Sequence, residues 1–218
     1  MCRTAFYDVD DTLINIKSMF DFFHFWASEN KLDSQKEKFD SQFSVLARKT
    51  NSREELNRAY YRFFKDVPLL KIEECAVSWF KKTFSTTDIF ITYTLKSILA
   101  HRVLGHNIVL VSGSMAPLLK PIARLLGVTD ILCTELVIDN SGVVTGEILG
   151  TQTIGDGKAF VIRQYAEKNN IKLSTCFAYG DDVSDIPMLS CVGHPVCIGE
   201  GTKLSNYAAD NKWLTVSI

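Results

Sequence analysis

The chain has 218 residues, of which 46% are hydrophobic and 22% are charged, as in an ordinary globular protein. This length allows one large domain, or a domain that carries an insert. The formal net charge of -1 provides no general attraction to nucleic acid or to an anionic membrane. Any affinity for phosphate must therefore be local, and we expect neither a nucleic-acid partner nor a membrane partner.

Neither a membrane span nor a signal peptide is expected. The most apolar run, residues 19–26, is short and contains Asp21 and His24. A strand-like run begins at Thr4, which leaves no room for a signal peptide before it. These features predict a cytoplasmic protein.

The six cysteines are scattered and show no close metal-type pairing. Most lie in apolar context, which favours small core side chains in a reducing cytosol, with disulfides or a zinc site as the alternative. They are Cys2, Cys75, Cys133, Cys176, Cys191 and Cys197.

The first half of the chain is predicted to be one strand followed by helices. Residues 4–9 form a short buried strand, and from residue 14 to about 87 apolar residues recur at helical spacing. No strand-like alternation appears in this part, which predicts an all-helical insert. Amphipathic stretches cover 39–47, 54–64 and 72–80, with a break between helices at 66–68.

The second half alternates strands with helices, which predicts a doubly wound parallel sheet of the α/β class. The predicted helices are 88–104, 115–126, 158–169 and 185–190. The predicted strands are 107–111, 131–133, 174–179, 192–198 and 213–216, with a hairpin formed by 135–138 and 143–148.

Asp8 and Asp10 follow the first strand and are separated by one residue. In an extended chain, side chains two positions apart point to the same side. Two carboxylates this close repel each other, which favours a bound cation or a shared proton. The pair therefore predicts one ionised nucleophile and one acid/base group, although a solvated acidic turn would have the same residues.

Ser112 and Gly113 follow a buried strand and precede a helix. A hydroxyl and backbone N–H groups at a helix start suit a phosphate, while an ordinary N-cap serine is the structural alternative.

Lys158 lies at the start of a later helix. A cation is unfavourable at this end of a helix, so we expect Lys158 to have an anionic partner. The preceding Gly155-Asp156-Gly157 does not give a P-loop, because the spacing is wrong and no Ser or Thr follows.

Three acids, Asp181, Asp182 and Asp185, follow the strand 174–179. Carboxylates at the end of a buried strand are costly unless a positive group compensates them. Their hard oxygen donors point to magnesium rather than zinc, with an acidic helix start as the alternative. Among the histidines, only His24 is considered as facing a substrate.

The motif order resembles the haloacid dehalogenase-like hydrolase superfamily. The resemblance rests on Asp8-Val9-Asp10-Asp11-Thr12, Val111-Ser112-Gly113-Ser114, Lys158 and Gly180-Asp181-Asp182-Val183-Ser184-Asp185. It is most similar to subfamily IB, the phosphoserine phosphatase-like branch. This implies a Rossmannoid catalytic core of residues 1–14 and 88–218, with residues 15–87 as a helical C1 cap.

The resemblance also implies roles for the motif residues. Asp8 would be the nucleophile that forms an aspartyl-phosphate, and Asp10 would be the acid/base group. Mg²⁺ would bind Asp8, Asp181 and the backbone carbonyl of Asp10. Asp182 and Asp185 would hold waters on the metal. Ser112, the Gly113 amide and Lys158 would bind the phosphoryl group.

Lys17 departs from the phosphoserine phosphatase pattern, which has a glutamate seven residues after the acid/base aspartate. A lysine would repel a substrate ammonium and favour a second anionic or polar group, unless it is only a solvated residue of the first cap helix. The predicted function is a magnesium-dependent phosphomonoesterase acting on a small molecule. A phosphotransferase or phosphomutase, and a non-catalytic phosphoester-binding module, are the alternatives, and oligomeric state is left open.

Overall fold

The computed structural model describes residues 3–50, 52–86 and 88–218. Its strands are β1 (Thr4–Tyr7), β2 (Val67–Pro68), β3 (Asn107–Met115), β4 (Asp130–Ile138), β5 (Val143–Leu149), β6 (Phe177–Gly180), β7 (His194–Ile198) and β8 (Leu214–Val216). Its helices are α1 (Ser18–Glu29), α2 (Asp33–Lys49), α3 (Arg53–Arg62), α4 (Leu69–Thr86), α5 (Thr92–Val103), α6 (Ala116–Leu126), α7 (Asp156–Lys168), α8 (Ile186–Ser190) and α9 (Lys203–Asp210).

The strands form one sheet in the order β2-β5-β4-β3-β1-β6-β7-β8. From β4 to β8 in this order neighbouring strands are parallel, while β5 is antiparallel to both β4 and β2. All four residues of β1 are buried, as expected for a central strand with helices on both faces. The mostly parallel α/β sheet predicted from the sequence is thus confirmed.

Strand β1 lies between β3 and β6, and this position brings three motifs together. Tyr7, its last residue, is opposite Leu110 of β3 and Tyr179 of β6. Strands β3, β4, β5 and β2 lie on one side of β1, and strands β6, β7 and β8 lie on the other. A reversal of strand order of this kind leaves a crevice beyond the carboxyl ends of the strands, where ligands bind in open α/β sheets.

Helices α1 to α4, together with β2, are called the insert here. Its aromatic residues recur at helical spacing and pack against one another; the ring centroids of Phe23 and Phe39 are 4.0 Å apart. The same apolar cluster includes Met115, Leu118 and Val144 from the rest of the chain. Burial against these residues holds the insert on the sheet.

The insert is not all-helical, which corrects the sequence prediction. Val67 and Pro68 form β2 and pair with Val144 and Val143 of β5. A strand of two residues is too short to show period-two alternation, so the sequence pattern could not reveal it. The predicted break between helices does lie at this position.

Two further element predictions differ from the structure. Strand β3 continues through Ser112 to Met115, with a shift of register between those two residues, so the glycine-serine segment is not a helix start. Helix α9 (Lys203–Asp210) is absent from the helices predicted from the sequence. Thr202 begins this helix by accepting a hydrogen bond from the Ser205 N–H at 3.0 Å.

Three further expectations concern the cysteines, a membrane span and the division into domains. The five cysteines within the described residues form no disulfide, and Cys2 lies outside that range. No helix in the described part of the chain is long and apolar enough to cross a membrane. The division into a core and a cap at residues 15–87 stays a prediction.

His101 of α5 is buried and contacts strand β6. His101 of α5 has its Nε2 2.8 Å from the Tyr179 hydroxyl and its Nδ1 2.8 Å from Nδ1 of His106. Burial, and then the neighbouring His106, lower the pKa of His101 to about 4. The folded protein therefore keeps this ring neutral in mildly acidic solution.

We expect His101→Gln to weaken the loss of thermal stability on acidification. As pH falls from about 6.5 towards 4, the unfolded chain takes up a proton on His101 that the folded chain excludes, so the wild type loses stability in this window. The drop in Tm from pH 7 to pH 5 should be smaller in His101→Gln than in the wild type. His194→Gln, at an exposed position, is the control, and an equal drop in all three proteins would contradict the assignment.

Candidate active site

Asp8 and Lys158 form a buried ion pair at the centre of the crevice. Asp8 directly follows β1, and its N–H donates to the Tyr179 carbonyl of β6 at 3.0 Å. Lys158 Nζ lies 2.6 Å from Asp8 Oδ1 and 2.6 Å from Asp185 Oδ1. Lys158 is only 5% exposed. Burial alone would lower the pKa of Lys158, but Asp185 and Asp8 raise it overall, so the ammonium stays charged.

Asp185 is fixed by a tight turn after β6. Its Oδ2 accepts hydrogen bonds from the N–H groups of Asp181 and Asp182 at 3.2 and 3.3 Å. Gly180 is required here, because a Cβ on this residue would lie 2.7 Å from Cβ of Asp185. Burial raises the pKa of Asp185 to about 6, although Lys158 opposes the shift.

Three carboxylates, those of Asp8, Asp181 and Asp185, have oxygens within 4.8 Å of one another. Thr12 Oγ1 donates to Asp181 Oδ1 at 2.9 Å and thereby orients this side chain. Burial, followed by the charges of Asp8 and Asp185, raises the pKa of Asp181 to about 8. The cluster thus holds more negative charge than Lys158 neutralises, and its oxygen donors suit a divalent cation.

This arrangement differs in one respect from the predicted metal ligands. Asp185, predicted to act through water, belongs to the closely spaced group, while the Asp10 side chain does not. Direct binding through the Asp10 carbonyl stays a prediction.

Asp10 has an environment unlike that of Asp8. Its Oδ2 accepts a hydrogen bond from the Ser18 N–H at the start of α1, at 3.0 Å. Its Oδ1 is buried and has no partner among the described residues. Burial raises the pKa of Asp10 to about 7, although the bonds from Ser18 oppose the shift. A carboxyl group with this pKa can both give and take a proton near neutral pH.

Ser112 is buried at the edge of the crevice, and its oxygen accepts a hydrogen bond from the Ser114 N–H at 3.1 Å. Ser112 is not a helix cap, because α6 begins after Met115 and has no side-chain cap. A Cβ on Gly113 would lie 2.6 Å from Cγ1 of Ile154, so a larger residue would displace the Ile154 side chain.

One cleft joins the predicted site residues, and the space within it, including its solvent-open part, is about 800 Å³. The residues from the sequence prediction that line it are Asp8, Asp10, Lys17, Ser112, Gly113, Lys158, Asp181, Asp182 and Asp185. Lys17 Nζ lies 2.5 Å from Asp11 Oδ2 and is half exposed at the rim. Their catalytic and binding roles stay predictions.

His24 is not among the described residues that line the cleft; its Nε2 lies 2.8 Å from Asp40 Oδ1 instead. Of the aromatic run 20–26, only Phe20 reaches the cleft, where it is 40% exposed. Phe22 and Phe23 belong to the apolar core of the insert. Phe20 is therefore the residue of this run that could contact a ligand, while Phe22 and Phe23 stabilise the insert.

The insert contributes cleft residues that the sequence interpretation missed. Arg53, the first residue of α3, has its Nη2 2.8 Å from Asp182 Oδ2. Asn57 and Leu56 follow on the same helix and also line the cleft. Arg53 and Asn57 lie in a polar helix start with no motif of their own, so only their spacing on α3 could have suggested them.

The chain belongs to the haloacid dehalogenase-like hydrolase family, whose model matches residues 5–190. Phosphoserine phosphatases occur among both the sequence relatives and the structural neighbours, as the motif order predicted. A probable phosphatase of Mycobacterium tuberculosis is 36% identical over 120 residues, which is 55% of this chain and 41% of the relative. The chain thus spans about two fifths of the length of this relative.

Two other comparisons cover the whole chain. A histidinol-phosphatase of Neisseria meningitidis serogroup C is 24% identical over 98% of this chain and 97% of its own length. The crystal structure of a protein of unknown function from Bordetella pertussis Tohama I has a TM-score of 0.88 and 19% identity, and it covers 100% of this chain and 99% of that chain. This second likeness establishes the fold.

We expect Mg²⁺ to raise the Tm of the protein, because a cation that binds only the folded carboxylate cluster stabilises the folded state. Asp181→Asn removes one carboxylate ligand from the cluster and should abolish most of the shift measured at millimolar Mg²⁺. Asp210→Asn, an exposed aspartate at the end of α9, is the control. Equal shifts in both variants would show that Mg²⁺ acts elsewhere.

Proposed function

We propose that this chain is a magnesium-dependent phosphomonoesterase that hydrolyses a small phosphate ester through an aspartyl-phosphate on Asp8. The observation that best supports this proposal is the difference between the surroundings of two nearby carboxyl groups, those of Asp8 and Asp10. Asp8 is ion-paired with Lys158, whereas burial raises the pKa of Asp10 to about 7. Two carboxyl groups whose environments differ in this way can divide the roles of nucleophile and acid.

In the first step, an Asp8 oxygen forms a bond to phosphorus as the phosphorus–ester oxygen bond breaks. Asp10 donates its proton to the departing alkoxide, which leaves as the neutral alcohol. In the second step, the Asp10 carboxylate takes a proton from water, and the water oxygen attacks phosphorus. The bond between phosphorus and Asp8 breaks, so phosphate is released and Asp10 is again protonated.

Charge neutralisation makes the first step feasible, since an anionic nucleophile must approach an anionic phosphate. Lys158 supplies one positive charge, and the Ser112 hydroxyl and the Gly113 N–H donate hydrogen bonds to the phosphoryl oxygens. A bound Mg²⁺ would neutralise further charge; Asp8, Asp181 and the Asp10 carbonyl would hold it, with Asp182 and Asp185 orienting its waters.

The insert would act as a C1 cap over residues 1–14 and 88–218 and would choose the substrate. Its side of the cleft combines cationic Lys17 with apolar Phe20, Phe43 and Leu56. The Lys17 ammonium, which is ion-paired with Asp11 at the rim, disfavours a substrate ammonium and favours a second anionic or polar group.

We expect Asp8→Asn to reduce phosphate release by at least about 10³-fold, because the amide is not a nucleophile. The measurement is release from a panel of small phosphomonoesters, with Mg²⁺ and then with chelator. Asp33→Asn, at an exposed position on α2, is the matched control and should keep full activity. Substantial turnover by Asp8→Asn would refute the assignment of the nucleophile.

Lys17→Glu should shift preference towards amine-bearing esters such as phosphoserine and histidinol phosphate. Reversing the charge at the rim replaces repulsion of an ammonium by attraction, so the ratio of kcat/KM for an amine-bearing ester to that for an amine-free ester should rise about tenfold. Lys17→Met, which removes the charge without reversing it, should give an intermediate ratio. An unchanged ratio in both variants would place Lys17 outside substrate recognition.

A further inference from the structure

The carbonyl of Gly113 is held by two side chains of the insert. Asn57 Nδ2 donates to this oxygen at 2.9 Å, and the Tyr61 hydroxyl donates to it at 2.7 Å. Asn57 and Tyr61 are four residues apart on α3, so they lie on the same face of the helix. Both side chains are buried. One donor would satisfy the buried carbonyl, whereas two occupy both of its lone pairs and fix its direction.

The orientation of Asn57 is itself determined by a residue outside the insert. Gln152 Nε2 donates to Asn57 Oδ1 at 3.0 Å and to the Glu54 carbonyl at 3.0 Å. Because Asn57 accepts through its oxygen, its amide nitrogen faces Gly113. Gln152 is buried and precedes α7, the helix that carries Lys158. A hydrogen-bond network therefore joins Gln152, helix α3 and the Gly113 carbonyl.

The bonds on the Gly113 carbonyl also constrain Ser112. The peptide that joins Gly113 to Ser114 is planar, so a fixed carbonyl direction fixes the Ser114 N–H on the opposite side. This N–H donates to the Ser112 oxygen. Within residues 3–50, 52–86 and 88–218, the Ser112 hydroxyl donates no hydrogen bond, and its side chain lines the cleft beside Asp8 and Lys158. Its hydrogen is therefore available to a ligand.

We infer that Asn57 and Tyr61 are positioning residues, which act through the Gly113–Ser114 peptide to aim the Ser112 hydroxyl hydrogen at a phosphoryl oxygen of the substrate. The inference rests on the proposed function, since it needs a phosphate ester in the cleft. It makes the insert part of the phosphate-binding machinery as well as a wall of the cleft. Phosphate binding by Ser112 then depends on contact between α3 and the end of β3.

Tyr61 offers the cleaner test, because it is not among the described residues that line the cleft. The bond that its hydroxyl donates is to the Gly113 carbonyl, at 2.7 Å. The experiment is a double-mutant cycle of Tyr61→Phe and Ser112→Ala, with kcat/KM for the best ester of the panel as the readout. Thermal unfolding of all four proteins establishes that each is folded under the assay conditions.

We expect Tyr61→Phe to lower kcat/KM about five- to tenfold in the wild-type background, as for the loss of one hydrogen bond. In the Ser112→Ala background the same change should cost less than about twofold, because the hydroxyl that it orients is already absent. Tyr7→Phe is the matched control, since it removes a buried hydroxyl that bonds Ser97 at 2.7 Å instead. It should cost less than about twofold in either background.

A purely structural role for Tyr61 would lower kcat/KM by the same factor with and without Ser112. Equal factors, or no loss in the wild-type background, would therefore overturn the inference. If release is Asp8-dependent but the cycle is additive, the proposed function stands and only the positioning role fails. If no Asp8-dependent release is found, the proposed function fails, and the positioning role fails with it.

Discussion

The site depends on one buried ammonium placed between two buried carboxylates. Lys158 contacts Asp8 and Asp185 at 2.6 Å each, and removing the lysine would leave both buried carboxylates without their ion-pair partner. Backbone packing delivers the lysine to this place. A Cβ on Gly157 would lie 1.8 Å from the Gln152 carbonyl, so only glycine lets α7 begin this close to the preceding loop. That loop also carries the Gln152 side chain, which orients Asn57.

The sheet topology explains why so many acids share one crevice. Asp8 follows β1 and the pair Asp181 and Asp185 follows β6, and these strands are neighbours at the centre of the sheet. Burial, and then repulsion between the neighbouring carboxylates, raises the pKa of Asp181 and Asp185. The crevice therefore concentrates negative charge, which opposes the entry of any anion unless positive groups offset it. Burial, and to a smaller extent the charge of Asp8, raises the pKa of Asp10 to about 7, so this group can carry a proton near neutral pH.

The sequence predicted the parallel sheet and the motif positions well, because both depend on local patterns. Buried strands such as β1 are continuous apolar runs, and the polar residues that end them are visible in one dimension. The missed features depend on packing between distant segments. Arg53 and Asn57 look like an ordinary polar helix start, and β2 is recognisable only through its pairing with Val143 and Val144. Helix α9 was missed because it is only eight residues long and buries only two of them, Leu204 and Ala208.

The two edge strands of the sheet are short, which limits what they offer to a strand of another molecule. At one edge, β2 has only two residues, and one of them, Pro68, has no N–H to offer an incoming strand. At the other edge, β8 is three residues long. Open strand edges are templates on which further chains can add and start fibrils. The long strands β3 and β4 each have a neighbouring strand on both sides, so their backbone groups are closed to intermolecular pairing in the folded chain.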